Sequence, residues 1–318
     1  MQVFRSLEEI PAGFGPTVVA VGNFDGVHRG HRAIIASVRE RAQALGAKSV
    51  ALTFDPHPVR LLRPGQSPKL ITPLDVRLEL LASTGLDATV VIPFTPEFSL
   101  LTAQDFASGV LAGLLEAVEV HEGDNFRFGH NASAGILELR ELGQSLGFAV
   151  VTHSAIHVGR LIVSSSEIRR RVAAGDVSTA RRLLGRPFSI HSTQARGRGI
   201  GSRLTVPTIN LAPYHELLPA DGVYVTRLHI GGQGVFDGVT NAGVRPTFGE
   251  PSYAIETYLL DFDPNRDEIA LTAETPLELC FLKRLRGERK FETPEALKAQ
   301  ILRDVGQAQR FFALSRQF

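Results

Sequence analysis

Short apolar runs rich in β-branched residues recur through the first 185 positions, and stretches of helical period separate them. The runs are TVVAVG (17–22), SVALTF (49–54), ATVVIPF (88–94), AVEVHEG (117–123) and FAVVTH (148–153). Between them, Ile34, Ile35, Val38, Ala42 and Leu45 repeat at helical intervals, as do Ile136, Leu139 and Leu142. Apolar strands alternating with one-sided helices predict an α/β domain built on a doubly wound parallel sheet. Ligands of such a sheet bind beyond the carboxyl ends of its strands. The pattern changes after GDVSTARRLLGRP, where Gly185 and Pro187 close a helix, so the boundary falls between 1–185 and 186–318. From 188 to about 285 the helical period disappears. GVYVTRLHI, GQGVFDGVT, YAIETYLLDF and LELCFLKRL lie between Gly, Pro, Asn and Asp turns, predicting an antiparallel β-barrel. Thr293 as cap and Pro294 in the first turn then open a C-terminal helix. Its apolar stripe of Leu297, Ile301, Val305, Ala308 and Phe312 is expected to face the barrel.

Composition narrows the function classes. At 318 residues the chain is long enough for two cores. The single cysteine, Cys280, excludes a disulfide framework and any zinc or iron-sulfur cluster built on several cysteines, which points to a reducing compartment, the cytoplasm. The opening MQVFRSLEEIPAGFG carries acidic residues and a proline where a secretory signal needs an apolar core, and no later run is long enough to span a membrane. A soluble protein without a membrane partner is expected. With 34 basic and 33 acidic residues the net charge of +1 exerts no general pull on nucleic acid. Nothing in the composition sets an oligomeric state.

The first candidate chemistry follows TVVAVG, where Gly22, Asn23, Phe24, Asp25 and Gly26 lead into His28-Arg29-Gly30-His31 and a helix from about Arg32. Two imidazoles three apart share one helix face, and the free N–H groups and positive dipole end favour phosphate. Gly30 allows close approach, and the histidines can donate to oxygens that gain charge in a transition state. That suits nucleotidyl transfer. A helix cap carrying two surface histidines explains the same residues. Zinc is not indicated, because no third ligand of convincing spacing follows.

The wider string GNFDGVHRGH resembles the signature of the nucleotidyltransferase superfamily, in particular the bacterial bifunctional riboflavin kinase/FAD synthetases. TFDPHP (53–58), GDNFRFG (123–129) and VSSSEIRRRVAAGDV (163–177) follow in the order of that family. The resemblance implies an ATP site at Gly22, Asn23, Phe24, Gly30, Ser164, Ser165 and Arg169, with the serines capping a helix that has Arg169 in its first turn. It also implies a flavin site in which Phe54, Pro56 and Pro58 form an apolar wall for a flat ring and Asn125 meets a ligand edge. Ser166 stands where the family usually has threonine, which keeps the hydroxyl.

The second constellation is ARGRGIGSRLTVPTINLAP (195–213). Thr208 and Asn210 are two apart, so on a strand both side chains face one way, and a hydroxyl and an amide oxygen can meet Mg2+ and its phosphates. Gly197, Gly199 and Gly201 free backbone N–H groups for a polyphosphate, although a flexible interdomain segment explains them equally. The segment resembles the family's riboflavin kinase module, as do DGVYV (221–225), NAGVRPTF (241–248), ETYLLDF (256–262) and the run beginning FLKRLRGERKF (281–291). By that resemblance Glu256 is the general base for a primary hydroxyl. Arg284 and Arg286 either steady phosphate or pair with neighbouring glutamates. The implied reactions phosphorylate riboflavin to FMN and adenylylate FMN to FAD, with ATP as co-substrate and Mg2+ as cofactor. Two rivals remain: an adenylyltransferase for another acceptor, which leaves the barrel without a task, and a flavin- or nucleotide-binding sensor without turnover.

Overall fold

The structure is a computed structural model that describes residues 1–195, 208–245, 252–262 and 269–315. Gly197, Gly199 and Gly201 lie outside the described residues. The chain forms two compact units, Met1–Ser165 and Ser166–Phe318.

In the first unit six strands make a wholly parallel sheet: β1 (Gln2–Phe4), β2 (Thr17–Val21), β3 (Lys48–Asp55), β4 (Ala88–Pro93), β5 (Ala117–Gly123) and β6 (Ala149–His153). Their order is β1-β4-β3-β2-β5-β6. From β2 the chain first builds outward through β3 and β4, then returns to add β5 and β6 on the other side. The switch point therefore lies between β2 and β5, where an open α/β sheet leaves a crevice. Alternation sends Val19, Val21, Val50 and Leu52 into one core, and Val18, Ala20 and Ala51 into another beneath the helix Arg29–Leu45. That helix buries Ile35, Val38 and Ala42 and stops at Gly46, whose φ of 62° lets its N–H reach the carbonyls of Ala42 and Gln43. A two-stranded hairpin, β7 (His157–Val158) with β8 (Leu161–Ile162), follows the sheet.

The second unit opens with helices up to Leu184 and continues as β9 (Phe188–Ser192), β10 (Thr208–Asn210), β11 (Gly222–Ile230), β12 (Gly234–Arg245), β13 (Ser252–Leu259) and β14 (Leu277–Gly287). These pair antiparallel in the order β10-β13-β12-β11-β14-β9. The two edges meet just past β9 and β10: Ala195 N–H donates to Asn210 at 2.9 Å and Ala212 N–H to Thr193 at 2.8 Å. The sheet thus curls into the expected barrel. Tyr224, Thr226, Leu228, Thr240, Thr257 and Phe281 fill its buried inner face, while Val223, Val225, Val239 and Leu282 pack outward against Ala308 and Phe312 of the helix Pro294–Ser315.

The first half of that helix departs from the expected stripe. Gln300 and Asp304 are buried, whereas Leu297 and Ile301 are 42% and 36% exposed. Asp304 accepts a forked pair of bonds from Arg286 on β14 at 2.9 and 3.0 Å, and one from Gln300 at 2.7 Å. A charged pair of this geometry fixes the helix rotation, because an unpaired buried carboxylate would cost more than exposing two aliphatic side chains.

Candidate active sites

His28 and His31 stand at the start of the helix Arg29–Leu45, three residues earlier than the pattern placed it. The shift has a local cause: the His28 imidazole is itself the cap, its Nδ1 accepting from His31 N–H at 3.3 Å. The two rings stack with centroids 3.5 Å apart and planes 17° from parallel. A Cβ at Gly30 would lie 3.1 Å from His28 Cε1, so glycine is what admits the ring. These are not surface histidines. His28 is only 5% exposed, and His31 meets the edge of Phe24 with its Nδ1 buried and unpartnered. Burial, reinforced by the neighbouring His28 and Arg77, holds His31 well below the usual imidazole range, so it is neutral at pH 7.

Two charged residues that the pattern did not single out shape this loop. Phe24 and Val27 have φ of 45° and 36°, uncommon for non-glycine residues. Asp25 anchors the turn: its carboxylate accepts from Ile71 N–H at 3.0 Å and Thr72 N–H at 2.9 Å, and its carbonyl accepts from Ser165 Oγ at 2.9 Å. Arg77 is 1% exposed and donates to the carbonyls of Asn23 at 2.7 Å and Phe54 at 3.2 Å. One guanidinium thereby joins the end of β3 to the loop after β2.

A cavity of about 420 Å3 opens at the switch point, lined by Gly22, Phe24, His28, Gly30, His31, Asn125, Ser164 and Ser165 among others. Its volume is in the range of small-molecule sites. Asn23 does not line it. Phe54, Pro56 and Pro58 also stand outside it, and Phe54 instead packs with Phe94 at 5.8 Å and Phe98 at 6.1 Å. Arg169 falls in the second turn of the helix Ser165–Ala173, not the first, because that helix begins at Ser165.

The cavity also holds His121, Glu122 and His153, which the sequence reading passed over. Glu122 accepts from Val21 N–H at 2.8 Å, but burial outweighs that bond and pushes its carboxyl well above the usual range. His121 Nε2 lies 2.7 Å from Glu119 Oε1, and Arg41 holds the same carboxylate through bonds of 2.9 and 2.7 Å. Burial lowers the His121 pKa, so the ring is neutral with its proton on Nε2 toward the carboxylate. Its Nδ1 then accepts from His153 Nε2 at 3.0 Å. The chain of contacts fixes both tautomers.

In the barrel, register does the assembling. Asn210 on β10 is directly opposite Glu256 on β13, which is in turn opposite Asn241 on β12. Opposed residues share a face, and Thr208 joins it two residues from Asn210, while Ile209 points into the core. Asn241 is a further candidate; its signal was the asparagine opening NAGVRPTF. Neutral oxygens beside a carboxyl group form a donor set that fits Mg2+ carried by phosphates. Arg284 requires a correction. Its guanidinium donates to the carbonyls of Asp221 at 2.6 Å and Ala174 at 3.5 Å, so in this structure it ties backbone. Arg286 is an ion-pair residue, with Asp304 in place of a glutamate.

A switch-point cavity with paired histidines, followed by a barrel with an oxygen-rich face, defines a two-site nucleotide-dependent transferase. The comparisons with known proteins agree. The FAD synthetase family model matches residues 11–167 and the riboflavin kinase model residues 184–312. The chain is 34% identical to the bifunctional riboflavin kinase/FMN adenylyltransferase of Pseudomonas fluorescens over 99% of both chains. It is 32% identical to that of Escherichia coli K12 over 94% of both. A crystal structure described as a macrolide-efflux protein from Streptococcus pneumoniae superposes with a TM-score of 0.83 at 24% identity, covering 96% of this chain and 98% of that one, which speaks to fold alone. This chain belongs to the bifunctional riboflavin kinase/FMN adenylyltransferase family, whose two activities produce FMN and FAD.

Proposed function

We propose that residues 186–318 phosphorylate riboflavin and residues 1–185 adenylylate the resulting FMN, and that the two sites differ in how they treat a nucleophile. A ribityl hydroxyl must lose a proton as it attacks the γ-phosphorus of ATP, and Glu256 accepts that proton. Thr208 and Asn210 would hold the cation, and Mg2+ bound there would neutralise charge on the phosphates. The phosphate of FMN is already an anion. It attacks the α-phosphorus of a second ATP, pyrophosphate leaves, and positioning with charge stabilisation suffices. His28 and His31 donate to the phosphate oxygens, and Ser164 and Ser165 border them. Asn125 meets the flavin edge at the cavity, and Phe54 with Pro56 and Pro58, which stand outside that cavity, offer an apolar wall only to a ring that extends beyond it.

The observation that carries this division is chemical. Burial pushes the carboxyl group of Glu122 in the first cavity toward its acid form, whereas the barrel face places Glu256 in register with Asn210 and Asn241. No helix among the described residues is long and apolar enough to cross a membrane, and we place the enzyme in the reducing cytoplasm with small molecules as its partners. Incubation with riboflavin, ATP and Mg2+ should yield FMN with ADP, then FAD with pyrophosphate, resolved by chromatography. Formation of neither flavin product would refute the assignment.

A further inference from the structure

Three adjacent barrel strands carry a second group of reactive side chains on the outward face. His191 on β9 is opposite Glu278 on β14, and Glu278 is opposite His229 on β11. Cys280 lies two residues beyond Glu278, on the same face of β14, while Leu279 and Phe281 point into the core. Ligand atoms of His229, Glu278 and Cys280 all lie within 4.8 Å of one another. Glu278 Oε1 is 3.7 Å from Cys280 Sγ and 3.4 Å from His191 Nε2. Zinc bonds of about 2.3 Å to sulfur and about 2.0–2.1 Å to nitrogen or oxygen, at tetrahedral angles, require ligand separations of roughly 3.3–3.6 Å. The separations of Glu278 from Cys280 and from His191 are close to those edges, whereas His191 lies outside the group within 4.8 Å and reaches it through Glu278, so its side chain must turn in to complete the four.

We propose that His191, His229, Glu278 and Cys280 form a structural zinc site that pins β9, β14 and β11 together. One thiolate, two imidazoles and one carboxylate are the donors of a borderline-soft cation, unlike the all-oxygen set of Thr208 and Asn210. Four protein ligands leave no open position, which is the mark of a structural and not a catalytic metal. Binding expels the Cys280 thiol proton to solvent. Without metal the groups satisfy one another: Cys280 donates to Glu278, and His191 Nε2 lies 3.1 Å from Ser189 Oγ. Nearby Arg227 is paired with Asp237 at 2.9 Å and does not compete for Glu278. The tie matters mechanically because β9 is an edge of the sheet, held by hydrogen bonds to β14 and to the short β10 side.

Cys280 is the only cysteine of the chain, so a thiolate-to-metal charge-transfer band reports this site alone. Metal-stripped full-length protein titrated with Co2+ should develop that near-ultraviolet band and the intense visible bands of four-coordinate cobalt at one equivalent, and Zn2+ should abolish both. Oxygen ligands elsewhere give neither. Glu278→Gln and His229→Ala should each weaken Co2+ binding at least tenfold, and zinc should raise the melting temperature of the wild-type protein but not of Cys280→Ser. X-ray absorption of the zinc-loaded wild-type protein, which needs no variant, should show one sulfur at about 2.3 Å with nitrogen or oxygen at about 2.0–2.1 Å. Absence of sulfur from the zinc shell, or of the charge-transfer band at stoichiometric Co2+, overturns the site. Equal affinity in the Gln and Ala variants also overturns it, because a lone thiol would then be the binder.

Discussion

In the first unit the site draws on residues 22–31, 121–125, 153 and 163–165, and the Ser165–Asp25 hydrogen bond alone spans 140 positions. In the barrel, Asn210, Glu256 and Asn241 share one row because three neighbouring strands pair in that register. Convergence from distant segments buries its members, and burial decides their protonation: His31 is neutral, and Glu122 is pushed toward its acid form. A row on an outward sheet face keeps contact with water. The two sites therefore differ in burial, and under the proposed roles that difference suits a base for an alcohol in the barrel and neutral donors for an anion in the first cavity.

The sharpest way to break the comparison is Glu256→Gln. Riboflavin phosphorylation should fall by about 10²–10⁴-fold while FAD formation from supplied FMN persists, as measured by separate initial rates. Next in size, His31→Ala should lower FMN adenylylation by about 10²–10³-fold and leave riboflavin phosphorylation intact. Loss of both activities in either variant would show that the sites are not separable.

Arg77→Met probes assembly. It orphans the carbonyls of Asn23 and Phe54, and the first unit should lose about 3 kcal/mol. FAD formation should then fail at a lower urea concentration than FMN formation; parallel loss would mean that Arg77 does not act locally. The smallest effect concerns Glu122. Its folded pKa is raised, so the stability it contributes is present below about pH 4.5, its ordinary value, and is lost as pH rises through the folded pKa. Glutamine cannot ionise. Glu122→Gln should therefore melt about 2–4 °C higher than wild type at pH 8, with the gain vanishing below pH 4.5. A lower melting point at pH 8 would mean that the carboxylate form is the one the fold favours.

Much of the architecture was legible because period and strand length are local properties. All five apolar runs are strands, Gly185 caps the helix that ends at Leu184, and Thr293 caps the last helix through its hydroxyl at 3.2 Å from Ala296 N–H. The three-residue β1 was too short to show a pattern. His28 and His31 stood out as candidates because their spacing at a helix start is itself chemical information, and Thr208 with Asn210 because a two-residue step on a strand is; the structure puts the histidines on one cavity and Thr208 and Asn210 on one strand face. Arg77, Glu122 and His153 gave no such signal. A lone arginine in a helical stretch is ordinarily solvated, and only packing reveals it as a buried clamp.

The same distinction separates Arg284 from Asn241. One sits in a basic run that suggested phosphate and was claimed by backbone carbonyls; the other acquired its neighbour Glu256 from strand register. What the sequence by itself determined was the alternation of elements, the boundary signals and the identities of the reactive groups, since each depends on neighbours within a few residues. Which groups meet, which are buried and therefore neutral, and which charges are consumed in holding the fold were decided by tertiary structure. Those properties depend on distance through space and on exclusion of water, and neither is written in local order.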